Sequence, residues 1–96
     1  MEIRYQLRYH EAVLEADILR IDKTNRIRIK IAIESRLQTF PERYGKPLRS
    51  PLQGYWKLRV GDYRVVFMMV GDEVKIIAIQ HRSFVYKSES DLKSRT

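Results

Sequence analysis

The chain holds a short series of side chains whose spacing invites a chemical reading. In Tyr55–Val60, YWKLRV, the two-residue period of an extended strand would send Trp56, Leu58 and Val60 to one face and Tyr55, Lys57 and Arg59 to the other. The first set is the natural core face. The second lines up a phenol, an ammonium and a guanidinium. Arg64 opens the next apolar run, and if Gly61-Asp62 closes a tight hairpin, Arg59 and Arg64 lie on adjacent strands. Cations held this close repel one another and favour an anion between them, for which phosphate is the obvious candidate. A third run, Val74–Gln80, leads into His81-Arg82, with Tyr86 four residues beyond. His81 brings an imidazole that can take and return a proton near neutral pH. The plainer alternative is a solvated polar face on which Asp62 pairs locally. His10, at a strand–helix junction, carries no expected role.

Charge distribution points the same way. The 96 residues carry a formal net charge of +7. Residues 43–66 hold Arg43, Lys46, Arg49, Lys57, Arg59 and Arg64 against Asp62 alone, whereas the flanking segments are each near balance. Tyr44, Tyr55, Trp56 and Tyr63 are interleaved with these cations, a pattern that suits a polyanion with stackable bases. An acidic protein partner would fit the same charges, and so would a basic surface that only confers solubility.

Several chemistries are excluded. There is no cysteine, so disulfides, thiolate metal sites and cysteine nucleophiles are absent. Two histidines without paired carboxylates do not make a metal site, and no cofactor is expected. No apolar run approaches the length of a membrane span, and the charged start MEIRYQLRYHE is unlike a signal peptide, so a cytoplasmic location is expected. RNA cleavage suits what remains. RNA carries its own nucleophile, the 2′-hydroxyl, so a protein need only orient the chain, move protons and stabilise the extra charge on phosphorus.

The elements that would position these groups follow from periodicity. Residues 2–9 alternate as a half-buried strand, and residues 11–21 show helical spacing with acidic residues near the start. Residues 26–34, RIRIKIAIE, admit two readings. Strict alternation of Ile27, Ile29, Ile31 and Ile33 is a strand signature, yet Ile29, Ile33, Leu37 and Phe40 form one stripe of a helix ending before Pro41. The Pro- and Gly-containing segment 44–54 reads as an exposed loop, followed by a three-strand antiparallel meander. Residues 1–87 are read as one domain and residues 88–96 as a short, solvated polar tail.

The segments Gly45–Arg49 (GKPLR), Gly54–Phe67 (GYWKLRVGDYRVVF) and His81–Tyr86 (HRSFVY) resemble the RelE/ParE toxin superfamily of bacterial toxin–antitoxin modules, closer to its RelE-type members. The resemblance spans essentially residues 2–87 and resolves residues 26–34 as a helix. It implies an α+β fold of order β-α-α-β-β-β, with a helix hairpin on one face of a twisted, mainly antiparallel four-stranded sheet. It also implies the toxin of a type II system, a metal-independent, ribosome-dependent endoribonuclease that cuts mRNA in the A site and so inhibits translation. By position, Lys57, Arg64 and Tyr86 match residues for proton transfer or phosphate contact, for transition-state charge and for base stacking. Arg59 and Arg82 match RNA-contacting positions, and Lys46, Arg49 and Tyr55 complete the expected RNA-binding set. The chain departs from RelE at Tyr55, where RelE has a lysine, and at Gln80, where RelE has an arginine acid. His81 is the expected substitute in proton transfer. The implied partners are an acidic antitoxin, the ribosome and mRNA, with operator DNA reached only through the antitoxin. Two alternatives stand beside this reading: a ParE-like inhibitor of DNA gyrase, and an inactive homologue that only binds its antitoxin.

Overall fold

The computed structural model describes residues 4–50, 52–83 and 89–95. Five strands form one sheet: β1 (Gln6–Tyr9), β2 (Lys46–Pro47), β3 (Trp56–Val60), β4 (Tyr63–Val70) and β5 (Glu73–His81). Their order is β1-β5-β4-β3-β2, with β1 parallel to β5 and the other neighbours antiparallel. Two-residue Gly-Asp turns join β3 to β4 and β4 to β5, and Gly61 and Gly71 both have positive φ, as such tight hairpins require. The expected four strands become five because the loop after residue 44 pairs with β3, setting Lys46 opposite Lys57 and Pro47 opposite Trp56. Pro47 has no N–H to give a further neighbour, which suits it to the sheet edge.

Two helical segments cross one face of the sheet. The first, α1 (residues 11–20), has wide π-type turns over Val13–Asp17 and narrows to a 3-10 turn at Ile18–Arg20. The second, α2 (residues 23–37), is α-helical over Lys23–Ala32 and π-type over Ile33–Leu37. Asp22 caps α2 by accepting from the Asn25 backbone N–H at 3.4 Å and the Asn25 side-chain amide at 2.7 Å. These bonds hold its carboxyl below the usual range. The helix reading of residues 26–34 therefore holds. Ile29, Ala32, Ile33 and Leu37 are buried, but Phe40 lies past the last turn and is exposed rather than on the core stripe. Pro41 then starts the short α3 (Pro41–Tyr44) at a position where its missing N–H costs nothing.

The main core lies between the helices and the sheet. Leu58, Val60, Val65, Phe67, Val74, Ile76 and Ile79 face Val13, Ile21, Ile29, Ile33 and Leu37. Each such side chain contributes roughly 1.5–3 kcal/mol on burial. A smaller cluster covers part of the opposite face, where Tyr55, Val66, Ile77, Ala78 and Leu92 meet Leu48, Leu52 and Met68. Leu92 belongs to α4 (Glu89–Lys93), a turn of helix in the segment expected to be solvated tail. The polar composition of that segment conceals one buried leucine and Arg95, whose guanidinium reaches the buried Asp17 carboxylate at 2.7 Å.

One irregularity sets which side chains share a face. Val66 pairs with Ala78 but Phe67 pairs with Ile76, leaving Ile77 as an extra residue in β5. Ile77 and Ala78 therefore both pack in the smaller cluster, and the inward–outward alternation of β5 is reversed beyond them.

Candidate functional site

On the face opposite α1 and α2, the register assembles a cationic row. Lys46 lies across from Lys57, and Arg59 lies across from Arg64, which lies across from Gln80. Lys57 and Arg59 are two residues apart on β3, flanked by Leu58 and Val60 of the helix-side core, so both point to the open face. Side chains directly opposite on adjacent strands have Cβ atoms about 4.5–5.5 Å apart. Four cations thus share one patch on β2, β3 and β4. Like charges in direct opposition are unfavourable in a sheet, and a bound anion offsets such repulsion. Gln80 adds a neutral acceptor to the row, and its buried Oε1 has no hydrogen-bond partner.

The remaining expected site residues are placed differently. Tyr55 does lie on the open face, but it is only 4% exposed beneath Leu48, Leu52 and Leu92. It is a structural member of the smaller cluster, closed to a stacking base. Arg49 is exposed in the loop after β2, where its carbonyl accepts from the Leu52 N–H. Arg82 is tied to the β3–β4 turn: its backbone N–H donates to the Asp62 carbonyl at 2.8 Å and its Nε lies 3.7 Å from the Asp62 carboxylate. Arg28 of α2 approaches the same turn, with its guanidinium about 3.3 Å from where a Cβ on Gly61 would sit. Tyr86 lies outside the described residues.

His81 is not brought to the cationic row. It pairs with Tyr63, meets that ring edge-on at 5.1 Å between centroids, and so belongs to the helix side. Its Nδ1 accepts the Ser83 backbone N–H at 3.1 Å and lies 2.7 Å from the Ser83 hydroxyl oxygen. With Nδ1 accepting, the neutral ring carries its proton on Nε2. The reversal at Ile77 is the cause. It turns Gln80 to the cations and His81 away from them. Among the described residues, no group of three His, Cys, Asp or Glu side chains is placed to hold a metal ion, and no helix is long and apolar enough to cross a membrane.

The helix pair over a five-stranded sheet is that of a RelE/ParE superfamily toxin of type II toxin–antitoxin systems. Residues 7–86 match the model for the ParE toxin of type II toxin-antitoxin system, parDE, and the chain belongs to that family. Over 49 residues it is 47% identical to Toxin RelE of Mycobacterium tuberculosis (strain ATCC 25618 / H37Rv), a stretch covering 49% of this chain and 50% of that protein. The match thus spans about half the length of that curated relative. The crystal structure of the toxin–antitoxin complex RelBE2 from Mycobacterium tuberculosis superposes with a TM-score of 0.78 at 25% identity, covering 85% of this chain and 95% of that one. The RelB–RelE antitoxin–toxin complex from Methanococcus jannaschii shares the fold, with a TM-score of 0.64 at 21% identity over 79% of this chain and 91% of that one.

Proposed function

We propose that this chain is a metal-independent, ribosome-dependent endoribonuclease that halts translation by cutting mRNA, and that a cognate acidic antitoxin restrains it. The observation that carries the reading is the register of Lys46 against Lys57 and of Arg59 against Arg64 on one open face. In the reaction, the 2′-oxygen forms a bond to phosphorus as the bond from phosphorus to the 5′-oxygen breaks. The 2′-hydroxyl proton leaves to a base, a proton goes to the departing 5′-oxygen, and a 2′,3′-cyclic phosphate remains. Arg64 and Arg59 stabilise the additional phosphoryl charge, as preorganised donors do. Lys57 is the residue of that row suited to carry a proton. His81, facing the other way, is assigned no transfer in this arrangement. Lys46, Arg49 and Arg82 hold the backbone, and Tyr86, just beyond Ser83 in sequence, is the proposed base-stacking residue.

The antitoxin half of the reading is supported by the solved relatives, which are toxin–antitoxin complexes. A gyrase inhibitor is the second reading, because the matching family model is that of ParE toxins. Primer extension on mRNA in a translating extract, alongside a gyrase supercoiling assay, decides between them. Cuts within codons are expected, about 100- to 1,000-fold slower in Arg64→Met and retained in His81→Ala. Broken plasmid DNA without mRNA cuts would establish the gyrase reading, and neither product would mark an inactive homologue that binds only its antitoxin.

A further inference from the structure

The two helical segments do not close completely over the sheet. Between α1 and α2 lies a cavity of about 370 Å³ that opens to solvent. Leu14 and Ile18 of α1 wall one side, Ile29 and Ile33 of α2 the other, and Ile79 of β5 forms the floor. Leu14 is 52% exposed at the mouth, whereas Ile29, Ile33 and Ile79 are buried. Arg26, Lys30 and Glu34 also line the cavity, and their four-residue spacing sets them on one stripe of α2. Neither Arg26 nor Lys30 forms an ion pair among the described residues. Glu34 stands at the other end of the stripe, about 12 Å from Arg26 along the helix axis and near the Tyr9 phenol. The rim is thus cationic at one end and anionic at the other, above an aliphatic interior.

We infer that this cavity binds a single-chain aliphatic carboxylate, a free fatty acid, at a site separate from the cationic row and independent of the toxin reading. Size decides what can enter. Small-molecule cavities run from about 300 to 1,000 Å³, are mostly apolar and carry a few placed polar groups. One turn of a partner helix with its side chains fills about 400–600 Å³, more than the whole cavity. A slim hydrocarbon chain fits where a helix does not. Charge then sets the class of head group and its direction. A carboxylate between Arg26 and Lys30 is matched by two cations, and the tail lies along Ile29, Ile33 and Ile79. Glu34 repels a carboxylate at the far end and so disfavours the reversed orientation.

Titration of the whole chain with decanoate below its micelle-forming concentration, followed by isoleucine methyl NMR, tests this. The methyl signals of Ile18, Ile29, Ile33 and Ile79 should shift and saturate at one equivalent. Those of Ile27 and Ile31, which are exposed away from the cavity, should stay in place. From hexanoate to decanoate, each added methylene should tighten binding about fourfold. Arg26→Gln/Lys30→Gln alters only exposed positions, and its unshifted methyl spectrum and melting temperature confirm that it folds. That variant should bind decanoate about 5- to 10-fold more weakly at low salt and bind neutral decanol as the wild type does. A response that does not saturate, equal shifts at Ile27 and Ile31, or affinity independent of chain length overturns the cavity as the site. Undiminished decanoate binding by the folded variant, or tighter binding of decylamine by the wild type, overturns the carboxylate assignment. Association with phosphatidylglycerol vesicles without binding of decanoate overturns a free acid in favour of a membrane lipid. None of these outcomes bears on mRNA cleavage, so the two readings stand or fall separately.

Discussion

The ion pair between Asp17 and Arg95 makes a sharp demand on stability. Strand β1 ends at Tyr9 and pairs with β5 only as far as Ile76, so among the described residues no strand flanks the outer edge of β5 beyond that point. Asp17 and Arg95 occupy the gap. The Asp17 carboxylate accepts from the Ile79 N–H at 3.0 Å and from the Arg95 guanidinium at 2.7 and 3.3 Å, and that guanidinium also donates to the Ile77 carbonyl at 3.2 Å. Arg95→Met keeps most of the side-chain volume and leaves a carboxylate only 7% exposed without its cation. Breaking a fully buried pair costs about 3–5 kcal/mol. Because Arg95 is 24% exposed and water can enter when it is removed, the expected loss is about 2–3 kcal/mol. That is a large part of the roughly 5–14 kcal/mol expected for a domain of this size and should lower Tm by about 8–20 °C. Asp17→Asn still accepts from Ile79 and buries no charge, so adding it to Arg95→Met should restore about 1 kcal/mol or more. Urea unfolding of the wild type, both single variants and the double variant gives the coupling directly. Arg95→Met melting within about 2 °C of the wild type, or strict additivity in the cycle, would refute the reasoning.

Two further outcomes follow from single contacts. A Cβ on Gly45 would lie 2.5 Å from the Phe67 ring and 2.9 Å from the Pro41 carbonyl oxygen, although its φ of −86° suits any residue. Gly45→Ala should therefore cost about 3 kcal/mol by overpacking alone, measurable by denaturant titration, and a loss under about 1 kcal/mol would contradict that geometry. Tyr9 is held above its usual value of 10.0, first by burial and then by the neighbouring Glu34 carboxylate. A raised folded-state value contributes stability fully present below the unfolded value and lost as pH rises through the folded one. Melting temperature should thus fall as pH climbs above about 10, and Tyr9→Phe should flatten that decline; an identical alkaline profile in the variant would exclude Tyr9 as its source.

Much of the fold is legible in the sequence because periodicity survives in it. The Gly-Asp turns and the apolar alternation of YWKLRV locate β3, β4 and their hairpin, and with them the approach of Arg59 to Arg64. Other features leave little local trace. Strand β2 is two residues long and includes a proline, so nothing in composition separates it from loop. The burial of Tyr55 depends on Leu92, which is far away in sequence and arrives on a helix that looks like polar tail. His81 and Gln80 exchange faces through one extra residue at Ile77, and a register reversal of this kind is a property of two strands together. Phe40 continues a helical stripe on paper, but the helix ends a turn early and Pro41 takes the buried position instead.

The pairing of β1 with β5 has a consequence for how the chain is made. Strand β5 is the last in sequence of the five described strands, yet it lies inside the sheet between β1 and β4. Until it emerges, the N-terminal strand has no neighbour to pair with, and the core residues Val74, Ile76 and Ile79 are missing from beneath the helices. Contacts of such long sequence separation form late and slowly. A nascent chain that has not reached residue 81 therefore lacks both an interior strand of its sheet and part of the inner wall of its core. The sheet and the core can close only once residues 73–81 have been made.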